Sequence, residues 1–300
     1  MQVSLLDQRL SQLYMDGLFL DLSEKEFLER LEGRSAWKER SDKTLSDIHW
    51  PEFKNRTGVQ LQNLQRSNTS DRQSNAEDNP FTIKPDLTNK SSIEVVYLGS
   101  SMLERLKTTG ASTELAQLSR EGVAWNAGCG GDKNENVIYR LICGEENLLS
   151  ALKAAGNVRL WVLMSGTNNL RKKPFRSSDI ESYRLLLQAC LWIAPESKII
   201  ACDMLYRKDI PDTVVDESNK MMESAVKEVN QSLLGREGVQ EIQWVEARTL
   251  VGKELLDDHV HLTEEGYRKL NDILWPWVRD FLGNTENDEV FEDKEERSEP

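Results

Sequence analysis

Between residues 93 and 282 short apolar runs alternate with amphipathic stretches, and that alternation limits the fold more than any other feature of the 300-residue chain. The runs are IEVVYLG (93–99), GVAWNAG (122–128), VRLWVLMSG (158–166), KIIACDML (198–205) and EIQWVEA (241–247), each of strand length. Helical periodicity covers about 102–119, 134–154, 179–194 and 215–234 between them, and 263–282 after the last. Strands separated by helices of this length join through right-handed crossovers. The pattern therefore predicts a five-stranded parallel sheet covered on both faces, a three-layer α/β/α domain. Open sheets of this kind bind ligands beyond the carboxyl ends of their strands, so the residues closing each run are the candidates for chemistry.

The flanks read differently. Leu5, Leu6, Leu10 and Leu13 recur at helical spacing. Leu22-Ser23-Glu24-Lys25-Glu26-Phe27 combines a Ser-x-x-Glu capping box with Leu22 and Phe27 placed as a hydrophobic staple, predicting a helix over 24–32 with Gly33 as its stop. Residues 1–65 thus read as an N-terminal helical extension whose apolar face must pack on something. It is a lid over the strand ends, a partner site that includes a homodimer contact, or an extension of the core. Residues 66–92 are polar, with prolines at 80 and 85, and read as a linker to the domain at 93–282. Residues 283–300 hold eight acids and two bases and read as a disordered acidic tail.

Composition excludes several functions. With 51 Asp+Glu against 38 Lys+Arg, a net charge of −13 and no basic cluster, nucleic acid is not an expected partner. No apolar run approaches the roughly 18 residues of a membrane span. Asp7 and Arg9 fall where a signal peptide needs an apolar core, so a soluble, cytoplasmic protein is expected. Cys129, Cys143, Cys190 and Cys202 have no CxxC spacing and read as reduced, packed thiols. Trp125, Trp161, Trp192 and Trp244 lie within strand or helix patterns and read as core.

The first run closes on Gly99-Ser100-Ser101 with a helical pattern immediately after, a turn that presents a serine hydroxyl at the sheet edge, although Gly-Ser-Ser is also ordinary cap chemistry. The second closes on Asn126-Ala127-Gly128-Cys129-Gly130-Gly131-Asp132, whose glycines let backbone N–H groups approach a ligand but do not fit the dinucleotide pattern GxGxxG. The third closes on Gly166-Thr167-Asn168-Asn169. Two of the three histidines fall in Asp257-Asp258-His259-Val260-His261-Leu262-Thr263. Asp258, three residues before His261, can fold back to accept from its Nδ1 and leave Nε2 as a base. His259-x-His261 with flanking aspartates is also a partial metal pattern, without a third well-placed ligand, and histidines beside a helix cap are a third reading. No serine has the G-x-S-x-G context of the α/β-hydrolases.

Taken in order, LGSSM, NAGCGGD, SGTNN and DDHVHLTEEGY resemble the blocks of the SGNH, or GDSL-like, hydrolases, most closely the platelet-activating-factor acetylhydrolase-like and fungal esterase-like branches, over about residues 93–282. The resemblance implies a flavodoxin-like, doubly wound fold and a serine esterase acting on carboxylic, short-chain acyl esters through an acyl-enzyme, with no cofactor and no metal. By similarity Ser101 is the nucleophile, His261 the base and Asp258 its partner, with His259 a neighbour. The backbone N–H groups of Ser101 and Gly131 and the side-chain amide of Asn168 form the oxyanion hole. The family's usual Gly-Asp-Ser is here Gly99-Ser100-Ser101, which is expected to alter hydrogen bonding in the turn rather than abolish attack. The alternative is an inactive scaffold of the same fold that binds a partner through its N-terminal helices.

Overall fold

A residue buried on both faces of a parallel sheet has no polar side to show, so its strand reads as a nearly unbroken apolar run. Each of the five runs holds a strand; the first four are buried almost throughout, whereas the last, at the sheet edge, is only partly buried. The computed structural model describes residues 18–36, 93–143 and 147–295, with side chains described over 19–283 of these. In chain order the elements are α1 (Glu24–Glu32), β1 (Val95–Gly99), α2 (Ser101–Glu104), α3 (Glu114–Glu121), β2 (Ala124–Gly128), α4 (Asn134–Ile142), α5 (Leu148–Ala155), β3 (Leu160–Met164), α6 (Ser177–Ile193), β4 (Lys198–Cys202), α7 (Asp212–Leu233), β5 (Gln243–Val245) and α8 (Glu264–Glu295).

All strand pairs are parallel, in the order β2-β1-β3-β4-β5. The order reverses between β1 and β3, the switch point of a flavodoxin-like sheet. Alternate residues feed two separate cores. Val96, Leu98, Trp161, Leu163, Ile199 and Ala201 face the layer of α4, α5, α6 and α7. Val95, Tyr97, Leu160, Val162, Ile200 and Cys202 face the layer of α2, α3 and α8. The result is the three-layer α/β/α fold with an N-terminal helical addition.

Three expected helices differ, the stretch at 134–154 among them, which holds two helices, α4 and α5. The stretch at 102–119 is divided into α2, a 3-10 turn (Arg105–Lys107) and α3, because Thr108-Thr109-Gly110 disfavours a continuous helix and Thr113 starts a new one by accepting from Ala116 N at 3.3 Å. The last helix, expected to end at 282, reaches Glu295 and so enters the segment read as a disordered tail; that stretch is rich in Glu, a good helix former, and holds no proline before position 300. Among the described residues no helix is long and apolar enough to cross a membrane.

The capping box at the N-terminus is in place, with Glu26 Oε2 accepting from Ser23 N at 2.9 Å and Ser23 Oγ accepting from Glu26 N at 3.4 Å. Gly33 ends α1 in a right-handed conformation, φ −59°, which does not require glycine. The apolar face of α1 packs on its own chain: Phe27 and Leu31 are fully buried, and the Phe27 ring stacks on Trp192 at 5.2 Å. Arg236 binds Asp21, Arg34 binds Glu181, and Ala36 N donates to Glu135 O at 3.0 Å. Of the three roles open to the extension, residues 18–36 fill that of core extension, so their apolar face is not available for a homodimer. The leucines at 5–13 and the linker at 66–92 lie outside the described residues. Phe27→Ala removes a buried ring and leaves a cavity against Trp192, and is expected to destabilise the fold by about 3–5 kcal/mol, measured by urea denaturation.

Candidate active site

Three strand ends lie side by side. Gly99 pairs with Gly128 on one flank and Met164 on the other, so the residues following β1, β2 and β3 emerge at one carboxyl edge. Cys129 N donates to Gly99 O at 3.2 Å, and Ser100 N to Met164 O at 3.3 Å. Gly128 is required by close approach, since a Cβ there would lie 2.4 Å from Glu104 N, in the helix that Ser101 begins. Gly131 has φ +76°, the left-handed region that favours glycine.

Ser101 is the first residue of α2 and 6% exposed. His261 reaches it from 160 positions away, with Nε2 2.9 Å from Ser101 Oγ. The loop carrying His261 is pinched at its base by an antiparallel bridge between Leu256 and Leu262, by Asp257 N to His261 O and by Thr263 N to Leu255 O, the last two at 2.8 Å. Thr263 Oγ1 caps α8 by accepting from Gly266 N at 3.1 Å. Tyr267, on the first turns of α8, donates its hydroxyl to Met102 O at 3.1 Å and so ties the histidine's helix to the serine's.

Asp258 fills both its oxygens. Oδ1 accepts from the backbone N–H groups of Val260 and His261, each at 2.7 Å, and Oδ2 faces His261 Nδ1 at 2.6 Å. Burial raises this carboxyl, but the hydrogen bonds from the His261 ring and from the two backbone N–H groups outweigh it and hold the group well below the usual carboxylate range. An ionised carboxylate only accepts, so the proton sits on Nδ1 and the Nε2 lone pair faces Ser101 Oγ. Arg105 adds a guanidinium 3.9 Å from Asp258 Oδ2. His259 is exposed, with Nδ1 4.0 Å from Asp258 Oδ1.

Asn168 sits in a 3-10 turn (Thr167–Asn169) after β3, and its Nδ2 donates to Asp132 O at 2.8 Å, next in the chain to Gly131. The two asparagines of this turn have different surroundings. Asn169 is buried and committed, accepting from Asn134 N at 2.9 Å and donating to Glu135 and Asp179. Asn168 is half-buried, with one of its two amide hydrogens fixed by Asp132 O. Ser101, Gly131 and Asn168 therefore stand at the ends of three adjacent strands.

Ser100 Oγ is buried and has no hydrogen-bond partner among the described residues; it lines a small cavity shared with Ser165, Thr167 and Asp203. The turn is held by its backbone instead, through Ser100 N to Met164 O and Glu104 N to Ser100 O. Several buried charged groups escaped the sequence reading, two of them close to this site. Arg140, on α4, has its guanidinium against Asp132, and Asp203, after β4, accepts from the N–H groups of Ala247 and Arg248. A lone arginine among Val137, Ile138 and Leu141 on an apolar helix face is the one signal that marks the first. Among the described residues no group of three His, Cys, Asp or Glu side chains could hold a metal ion.

No family model and no curated protein matches the sequence. Solved structures do resemble it. A GDSL-like lipase from Bacteroides thetaiotaomicron is 17% identical over 64% of this chain and 90% of its own, with a TM-score of 0.43. A member of the lipolytic protein G-D-S-L family from Veillonella parvula is 17% identical over 61% and 96%, with a TM-score of 0.42. A carbohydrate esterase family 3 protein from Talaromyces cellulolyticus is 14% identical over 64% and 99%, with a TM-score of 0.45. With TM-scores below 0.5, these likenesses decide nothing about activity.

Burial pushes the Asp203 carboxyl up to about 7, against the N–H groups of Arg248 and Ala247 and the Arg248 charge, which lower it. The folded state then holds a proton that the unfolded chain has released, so stability falls as pH rises from about 4 to about 7. Asp203→Asn keeps one acceptor for the two backbone donors and removes the titration. Urea midpoints measured at pH 4.5 and 7.5 are expected to differ less in this variant than in the wild type.

Proposed function

We propose that this protein is a serine hydrolase of the SGNH, or GDSL-like, type that cleaves short-chain acyl esters. The observation that carries the reading is the continuous chain Ser101 Oγ, His261 Nε2, His261 Nδ1 and Asp258 Oδ2, with contacts of 2.9 and 2.6 Å. A serine hydroxyl is a weak nucleophile at neutral pH, and an imidazole whose far nitrogen is held by a carboxylate is the base that activates it.

In this reading His261 Nε2 takes the Ser101 proton as Oγ attacks the ester carbonyl carbon. The tetrahedral oxyanion is held by the backbone N–H groups of Ser101 and Gly131 and by the Asn168 amide. The Ser101 N–H lies in the first turn of a helix, where no intrahelical acceptor is available to it. Collapse expels the alkoxide, which takes the proton from His261 and leaves as an alcohol. Water then loses a proton to His261 and attacks the acyl-serine, and the acid leaves as Ser101 recovers its proton. Asp258 stays ionised throughout, consistent with its depressed pKa. The apolar face of α1 lies against the protein's own core, so α1 is not the surface through which the scaffold alternative would bind a partner.

Turnover of p-nitrophenyl esters from acetate to octanoate tests the reading. Ser101→Ala is expected to abolish it and Ser100→Ala to leave it within about threefold, while Asn168→Ala lowers kcat about 10²–10³-fold, the loss usual for one oxyanion donor. Equal rates in wild type and Ser101→Ala would remove the reading.

A further inference from the structure

We infer that Arg140 is a positioning residue that sets the oxyanion-stabilising donors relative to Ser101; the inference rests on the reading of Ser101 as the nucleophile. The guanidinium is 1% exposed and its partner Asp132 is fully buried. Taking such a charge out of water is strongly unfavourable unless it is paired and its N–H groups are satisfied. Here Nε donates to Asp132 Oδ2 at 2.7 Å, Nη1 to Ala127 O at 2.9 Å and Nη2 to Gly99 O at 3.0 Å.

The identity of the three acceptors gives the pair its function. Gly99 O belongs to the last residue of β1, two positions before Ser101, and Ala127 O to the next-to-last residue of β2. Asp132 follows Gly131, and its own carbonyl accepts from Asn168 Nδ2 at 2.8 Å. One planar group thus touches the strand that ends at the nucleophile, the strand that ends at the donor loop, and the residue joining the Gly131 and Asn168 donors. The loop between them, Gly128-Cys129-Gly130-Gly131, is three parts glycine to one of cysteine, a composition with little stiffness of its own. Arg140 supplies that stiffness from α4. Lysine keeps the charge but lacks the flat fork that reaches three acceptors at once.

The test uses the full chain and two variants, Arg140→Lys and Asp132→Asn. As a control, wild type but not Ser101→Ala should be labelled by a fluorophosphonate; an unlabelled wild type would remove the nucleophile reading and this inference with it. With labelling established, both variants are expected to lose about 10–100-fold in kcat on p-nitrophenyl acetate, with KM within about threefold, since an ångström of misplacement costs on the order of 10²-fold. Affinity for phenylboronic acid, which forms a tetrahedral adduct on the serine, should fall by the same factor as kcat. A purely structural staple would lower Tm and leave kcat and boronate affinity at wild-type values, and that result would overturn the inference. Arg140→Lys alone failing to fold leaves Asp132→Asn to decide by the same two readouts. Failure of both to fold would overturn it too, by making the pair an element of folding.

Discussion

Everything at the candidate site depends on three parallel strands ending in the same row. Gly99, Gly128 and Met164 lie in register, so the serine, glycine and asparagine turns, 30 and 37 residues apart in the chain, emerge within one edge of the sheet. Parallel pairing permits this and antiparallel pairing does not, because only parallel strands bring successive carboxyl ends to the same side. The crossover helices then cover both faces, and the site is left at the carboxyl edge of the sheet, where the helix that Ser101 begins presents its first backbone N–H groups.

The histidine comes from elsewhere, and its placement is a separate problem. Its loop precedes the last helix, and α8 belongs to the core on the opposite face from α1. Two contacts convert that packing into a fixed ring position: the Tyr267 hydroxyl on Met102 O, and the bridge that closes the loop at Leu256 and Leu262. The two cores lie on opposite faces of the sheet, with the strands between them. Loss of packing around Phe27 therefore reaches Ser101 through β1 and β3, whereas loss around Leu270 or Leu274 reaches His261 through its own helix.

Much of this was legible before any coordinates. The five runs hold the five strands, in the first four because double-sided burial writes itself as an apolar run, and Ser23 and Glu26 fix the start of α1 by a local rule. Ser101, Asp258 and His261 were readable as a set through the resemblance of their blocks to the SGNH hydrolases; taken singly, each segment was also ordinary turn or cap chemistry. What escaped was long-range pairing. The apolar neighbours of the arginine at 140 mark it as inward-facing, but nothing local says that it reaches two strand ends, or that the carboxyl at 203 is buried beside the residues that follow β5. The distinction between Asn168 and Asn169 needed Glu135 and Asp179, which the chain places before and after them. The reach of the last helix past 282 was hidden for another reason, since an acidic stretch without apolar period carries no helical signal of its own.

The carboxylate of Asp258 serves three N–H groups with two oxygens, the backbone pair on one and the imidazole on the other. An asparagine of the same shape has a single acceptor to offer. Turned to keep the loop closed, it would present its NH2 to the ring, which must then accept at Nδ1 and carry its proton on Nε2, facing the Ser101 hydroxyl. The fold would be intact and the imidazole in place, yet the lone pair that the serine proton needs would be on the wrong side of the ring. The second oxygen of Asp258 is in this sense a tautomer selector, and the tight turn from 258 to 261 is what prevents the selection from being reversed by rotation.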